Sequence, residues 1–222
     1  LIAVRFLVAD ERDEKAELRD LNRDGLDDFV VVEMLSRDHL RRLTQRNVVA
    51  GELAPASAIT GRPQYPRNTL FLNRGDGTYA EIAQYAGLEA SEWSWAPIFL
   101  DVDLDGFEDL LVANGFERDN MNVDVQNRIN QAKSASRVRS REELLLRKMF
   151  PRLATENLAF RNNGHLRFEP ASQEWGFNAT TISQGVWVRW EADKAVRRIE
   201  PTAVASRETA KDALALATAA GK

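Results

Sequence analysis

The chain has no cysteine and only two histidines. Without thiols there is no disulfide framework and no cysteine nucleophile. His39 and His165 lie far apart in sequence and lack the spacing of metal ligands, so they read as surface residues rather than a catalytic site. No run of about eighteen apolar residues is present, which excludes an apolar membrane-spanning helix. There is no basic excess either: 30 Lys and Arg stand against 34 Asp and Glu, for a net charge of −4, so nucleic acid is not an expected partner. No Ser–His–Asp arrangement and no phosphate-cradling glycine loop is visible, and the residues point to no enzyme activity. The chain begins with Leu, with no leader pattern before it, which suggests a processed chain or a piece of a longer one. What remains, 44% hydrophobic and 29% charged over 222 residues, suits a folded protein of one or two domains.

Two short stretches nearly repeat each other. Asp20-Leu-Asn22-Arg-Asp24-Gly25-Leu26-Asp27-Asp28 runs into Phe29-Val-Val-Val32, and Asp101-Val-Asp103-Leu-Asp105-Gly106-Phe107-Glu108-Asp109 runs into Leu110-Leu-Val112. Carboxylates or amides fill positions 1, 3, 5 and 9, with Gly at 6. Side-chain oxygens at alternate positions of a tight loop converge on one centre, the arrangement a hard cation such as Ca²⁺ requires. Glycine permits the sharp turn. Position 7 (Leu26, Phe107) offers its backbone carbonyl, leaving its side chain to point into a core, and Asp28 and Asp109 close the cage from the next strand.

An EF-hand needs Glu at position 12 and flanking helices, but position 12 is Val31 or Val112. A dockerin-like repeat also wants a polar ligand there and a following helix, and disulfide-linked acidic repeats need cysteine. The β-branched, apolar sequel reads instead as a strand, so each loop joins two strands. Asp- and Gly-rich surface turns are the plainer explanation. Two copies with the same positions filled and the same apolar sequel weigh against it. The millimolar Ca²⁺ outside cells suits such simple loops, so the expected location is extracellular, cell-surface or periplasmic.

A second repeat lies downstream. Asn68-Thr-Leu-Phe71-Leu-Asn73-Arg-Gly75 matches Asn157-Leu-Ala-Phe160-Arg-Asn162-Asn-Gly164 at an offset of 89, and Ser94 then falls on Ser183. Each segment reads as a β-hairpin ending in a strand centred on Tyr79 or Phe168. The acidic loops are 81 residues apart. The order is strand, acidic loop, strand, insertion, hairpin, twice over. Four-stranded sheets repeated around an axis are propeller blades. Carrying the offset of 89 forward, Asp101, Asp103, Asp105 and Asp109 map to Trp190, Ala192, Lys194 and Arg198, so a third unit starting at Gln184 has lost its cage.

These residues resemble the FG-GAP and VCBS repeats of integrin-α-like β-propellers. The run from Asn68 to Gly115, with Ser94-Trp-Ala-Pro97, Asp101–Gly106 and Ala113-Asn-Gly115, is similar to the ASPIC/UnbV-type (cartilage acidic protein-like) propellers. The likeness covers about residues 18–35 and 68–190. It implies Ca²⁺ ligation by Asp20, Asn22, Asp24, Asp28, Asp101, Asp103, Asp105 and Asp109, and an exported protein. The chain departs from the family where an acidic loop is expected near 190–198, and at its two ends.

Arg74-Gly75-Asp76 spells a cell-adhesion tripeptide, but it sits where the hairpin needs a turn. Among the tryptophans, Trp95 and Trp187 suit the space between sheets, whereas Trp93, in a connector, is the better partner contact. The acidic pairs are better explained by a shared cage than as glycosidase carboxylates.

The expected fold is therefore all-β: a partial propeller of two four-stranded blades and part of a third, over 1–114 and 157–190. Residues 36–67 and 115–156 are insertions. Helix caps are expected at Ser36 in the first and at Ser140 with Glu143 in the second. Residues 191–222 form a helical or disordered tail. Two blades and a fraction cannot close a ring, so the rest of a longer polypeptide or other subunits should complete it. The expected function is a Ca²⁺-stabilised scaffold with two ions, binding a protein or glycan. The alternatives are an accessory subunit of a larger membrane-associated or extracellular assembly, or the non-catalytic propeller of a hydrolase or redox enzyme.

Overall fold

A computed structural model describes residues 16–45, 66–135, 145–189 and 198–203. The half-charged, mostly exposed β1 (Ala16–Arg19) and the buried β2 (Asp28–Val31) are joined by the first acidic loop. After α1 (His39–Thr44) come β3 (Thr69–Asn73) and β4 (Tyr79–Glu81), the predicted hairpin. These four strands form one antiparallel sheet in the order β1-β2-β3-β4. A short α2 (Ala83–Ala86) leads to β5 (Ser94–Leu100) and β6 (Asp109–Asn114), joined by the second acidic loop. Then follow α3 (Val123–Ala135), β7 (Thr155–Glu156), β8 (Leu158–Asn162) and β9 (Phe168–Pro170). The second antiparallel sheet has the order β5-β6-β8-β9. β10 (Thr180–Thr181) pairs with β7, and β11 (Ser183–Arg189) pairs with β12 (Arg198–Ala203). The architecture is mostly β, and among the described residues the sheets close no ring.

The two large sheets share one core. Val30, Val32 and Leu70 of the first meet Phe99, Leu110, Val112, Leu158 and Phe160 of the second. Each such side chain withdrawn from water contributes about 1.5–3 kcal/mol. β6 is buried along its whole length because its two faces serve two cores. Leu110 and Val112 face the first sheet, while Leu111 joins Ala159, Val102 and Phe177 beneath Val186 of β11. A continuous apolar run, rather than an alternating one, is what a strand covered on both faces requires.

Buried amides pin the repeats in register. Asn68 accepts the Glu33 N–H at 2.7 Å and donates to the Leu88 carbonyl at 2.9 Å. Asn157, at the equivalent place, accepts the Asn114 N–H at 2.9 Å and donates to the Ala179 carbonyl at 3.2 Å. Both asparagines are almost fully enclosed.

Several expectations need correction. The segment 198–203, assigned to a tail, is β12, the second strand of the third unit, and it falls on β6 at the same offset of 89. The loss of the acidic cage hid it, because the cage was the marker used to find second strands. The cap of α1 is Asp38, whose carboxylate accepts the Arg41 N–H at 2.7 Å. Ser36 is instead buried and donates to Glu92, 56 residues away. α3 is a helix the sequence did not announce, opened by Asn122, which accepts the Val125 N–H at 3.0 Å. Residues 145–147 are also helical, within the span where the Ser140-capped helix is expected. The Ser140–Glu143 cap, Trp190 and the rest of the expected 191–222 tail lie outside the described residues. Trp93 is not a surface contact: it is 6% exposed and stacks on Phe116, with ring centroids 4.4 Å apart. Trp95 is half-buried and donates to the Gly115 carbonyl at 2.7 Å.

Asn157→Ala leaves the buried Asn114 N–H without its acceptor, while the Ala179 carbonyl keeps the backbone N–H of residue 157. Its expected cost is about 1–3 kcal/mol in urea unfolding, with an unchanged dependence on denaturant.

Candidate metal centres

The two acidic loops adopt the same backbone. Position 4 is left-handed in both, with φ of 63° at Arg23 and at Leu104. Position 6 follows with φ of 85° at Gly25 and 93° at Gly106, where any other residue would be strained. The loops also orient their own carboxylates alike. Asp20 accepts the Gly25 N–H at 2.8 Å, and Asp101 accepts the Gly106 N–H at 3.0 Å. Asp24 accepts the Leu26 N–H at 2.9 Å, and Asp105 accepts the Phe107 N–H at 2.8 Å.

Asp28 and Asp109 have a larger part than closing a cage. Both are fully buried. Each carboxylate accepts one N–H from position 2 of its own loop and one from the end of the third strand of its sheet. For Asp28 these are Leu21 at 3.0 Å and Asn73 at 2.8 Å. For Asp109 they are Val102 at 2.8 Å and Asn162 at 2.9 Å. One side chain thus fastens loop, second strand and hairpin together. Asn73 and Asn162 complete the junction by donating to the backbone carbonyls of Asp27 and Glu108, at 3.3 and 3.2 Å.

Burial has an electrostatic consequence. Withdrawal from water pushes the Asp109 carboxyl up to about 6, with Asp103 and Asp105 adding repulsion and the two N–H bonds opposing the rise. The same balance raises Asp28, with Asp24 and Asp20 as the repelling neighbours.

In the second loop, carboxylate oxygens of Asp101, Asp103 and Asp109 all lie within 4.8 Å of one another. Ligands on one Ca²⁺ sit about 2.3–2.6 Å from it, so this separation fits a shared ion. Asp105 stands outside that group. Among the described residues no other three acidic or histidine side chains come together so closely. The first loop has Asn22 in place of Asp103, an amide that supplies oxygen without charge.

That difference is balanced by a residue the motif did not reveal. Arg161 of β8 donates to Asp103 at 2.9 Å and pairs with Glu174. Its counterpart in the first sheet, 89 residues earlier, is Leu72. The carboxylate that the second loop has in excess is thus met by a guanidinium that it shares with Glu174.

Leu26 and Phe107 do not enter the core, as their apolar character suggested. Both are half-buried against the hairpin turns of their own sheets, at Gly75 and Gly164. Position 2 takes the core role instead, with Leu21 2% and Val102 9% exposed. Arg23 reaches from the first loop to the second, its guanidinium 4.4 Å from the Phe107 ring centroid and close against Gly106. Arg74-Gly75-Asp76 forms the β3–β4 turn, where Asp76 accepts the Thr78 N–H at 2.9 Å. Both histidines are exposed.

Acidic strand-to-strand loops, each opening a four-stranded antiparallel sheet, define a repeat protein of β-sheet units. Residues 20–112 match the FG-GAP-like repeat family, a span running from the first residue of the first loop into β6. No curated protein and no solved structure matches the chain.

The folded chain holds the Asp109 proton more tightly than the unfolded chain does. Stability tied to that proton is complete below the ordinary value of 3.8 and is lost as pH rises through about 6. In chelator, the melting temperature should therefore rise as pH falls from about 7 to about 5. Asp109→Asn should lose the part of this dependence that Asp109 supplies, keeping that of Asp28, and melt lower throughout, since its NH₂ group opposes an N–H donor. Circular dichroism melts across this range check it.

Proposed function

We propose that the chain is a Ca²⁺-stabilised, non-catalytic binding scaffold of an exported or cell-surface protein, with its two sheets as blades of a propeller of the ASPIC/UnbV type. The observation that carries this reading is the convergence of Asp101, Asp103 and Asp109 oxygens within 4.8 Å, at a loop repeated almost residue for residue. Asp101, Asp103, Asp105 and Asp109, with the Phe107 carbonyl, would hold one ion. Asp20, Asn22, Asp24 and Asp28, with the Leu26 carbonyl, would hold the other. A bound cation keeps the buried aspartates ionised and offsets their mutual repulsion, so its work is structural.

The sheets themselves support the blade reading. The second sheet presses Phe99, Leu110, Phe160 and Phe168 onto the first. The first sheet carries Leu18, Phe29, Phe71 and Tyr79 at the equivalent positions, with Phe29 stacked on Phe71 at 4.7 Å. A face repeated in this way suits a stack that continues into a further unit. Among the described residues no helix is long and apolar enough to cross a membrane.

The accessory-subunit reading draws on a separate observation. The insertions after β2 and β6 leave at the strand ends remote from the metal loops, and they are joined to each other. Gln45 bridges to Asn122, and Arg41 lies between Glu92 at 2.7 Å and Asp119 at 3.4 Å. A platform of this kind suits protein docking.

At saturating Ca²⁺ the melting temperature should exceed that in EDTA by about 5–10 °C. Asp24→Ala and Asp105→Ala, at exposed positions, should each remove part of that difference. Identical melting in Ca²⁺ and EDTA would contradict the reading.

A further inference from the structure

The insertion after β6 folds back on itself. α3 sets Val125 and Ile129 against Phe150, with Leu146 packed alongside. Beside this small core runs a groove of about 840 Å³. Its floor is apolar, formed by Phe116, Met121, Ile129, Leu146 and Phe150. Its rim carries Arg118, Arg147 and Lys148, and among the described residues Glu117 is the one acid lining it.

The charge of this rim runs against the rest of the chain, which is acidic overall at −4. Three arginines elsewhere are held by carboxylates: Arg41 with Glu92 and Asp119, Arg67 with Glu81, Arg161 with Asp103 and Glu174. Among the described residues no carboxylate pairs with Arg118, Arg147 or Lys148. Arg118 gives one nitrogen to the Phe150 carbonyl at 2.9 Å, which fixes its position on the rim without neutralising it. Leu145 and Met149, 59% and 42% exposed, extend the apolar surface beside the groove.

We propose that this groove docks an acidic amphipathic peptide segment of a protein partner, with Asp or Glu side chains on the rim cations and apolar side chains on the floor. An apolar strip flanked mostly by cations fits a helix or extended segment of opposite charge. A sulfated glycan or a nucleic acid would engage the rim and leave the floor unfilled, so the floor favours a peptide. The inference rests on the reading of the chain as a binding scaffold and not on the metal loops.

The test uses the full chain in Ca²⁺ buffer and fluorescence anisotropy with three labelled peptides. One carries Leu on one helical face and Glu on the other, one replaces Glu by Lys, and one replaces Leu by Ser. The Glu–Leu peptide should bind, and should weaken as salt is raised. Arg147→Glu combined with Lys148→Glu should weaken it by about tenfold or more, and Met121→Gln should weaken it several-fold. Both variants should keep the wild-type melting temperature and its response to Ca²⁺, which separates failure of the groove from failure of the metal reading. Equal binding of the Glu and Lys peptides, indifference to the charge reversals, or no binding would overturn the proposal. So would equal binding of the Leu-free peptide, or competition by heparin with Met121→Gln without effect, which would mark a plain polyanion site.

Discussion

Asp28 and Asp109 are the constraint on which the rest depends. Each is a carboxylate with no exposure to water, holding two backbone N–H groups that belong to different parts of its sheet. The bonds set where the acidic loop ends, where the second strand begins and how the hairpin approaches it. They also bury charge beside other carboxylates, which is unfavourable unless a proton or a cation accompanies it. The geometry that builds the sheet is therefore one that a proton or a bound cation would stabilise.

The two ends of the sheets divide the work. At one end the acidic loops are rigidly specified by left-handed positions and by hydrogen bonds to their own amides. Arg23 ties the first loop to Phe107 of the second, so that end behaves as one structure. At the other end the chain departs into insertions that are long, polar and joined through Arg41 and the Gln45–Asn122 bridge. A stiff end and an elaborated end suit the proposed scaffold, which would be held by ions on one side and meet its partner on the other.

Much of this was legible in the residues, for identifiable reasons. The loops showed themselves because the same residue types recur at the same spacing before an apolar strand. The hairpins showed themselves because Asn73 and Asn162, with their following glycines, recur without a gap. The features that were not legible depend on contacts distant in sequence. Ser36 looks like a helix cap until Glu92, folded back from 56 residues away, takes its hydroxyl. Trp93 looks like a connector residue until Phe116 covers it. β12 carries no acidic marker, and its pairing with β11 shows that the offset of 89 continues into a second strand. Arg161 falls outside the motif altogether, because its role comes from the strand beside the loop.

The central claim is that each acidic loop holds one divalent cation beside its buried aspartate. Calorimetric titration of the chelator-stripped protein with CaCl₂ measures this directly. The account predicts two ions bound per chain, one after either Asp24→Ala or Asp105→Ala, and none after both. A folded, stripped protein that binds no Ca²⁺ at millimolar concentration, or whose stoichiometry is indifferent to these substitutions, would contradict it.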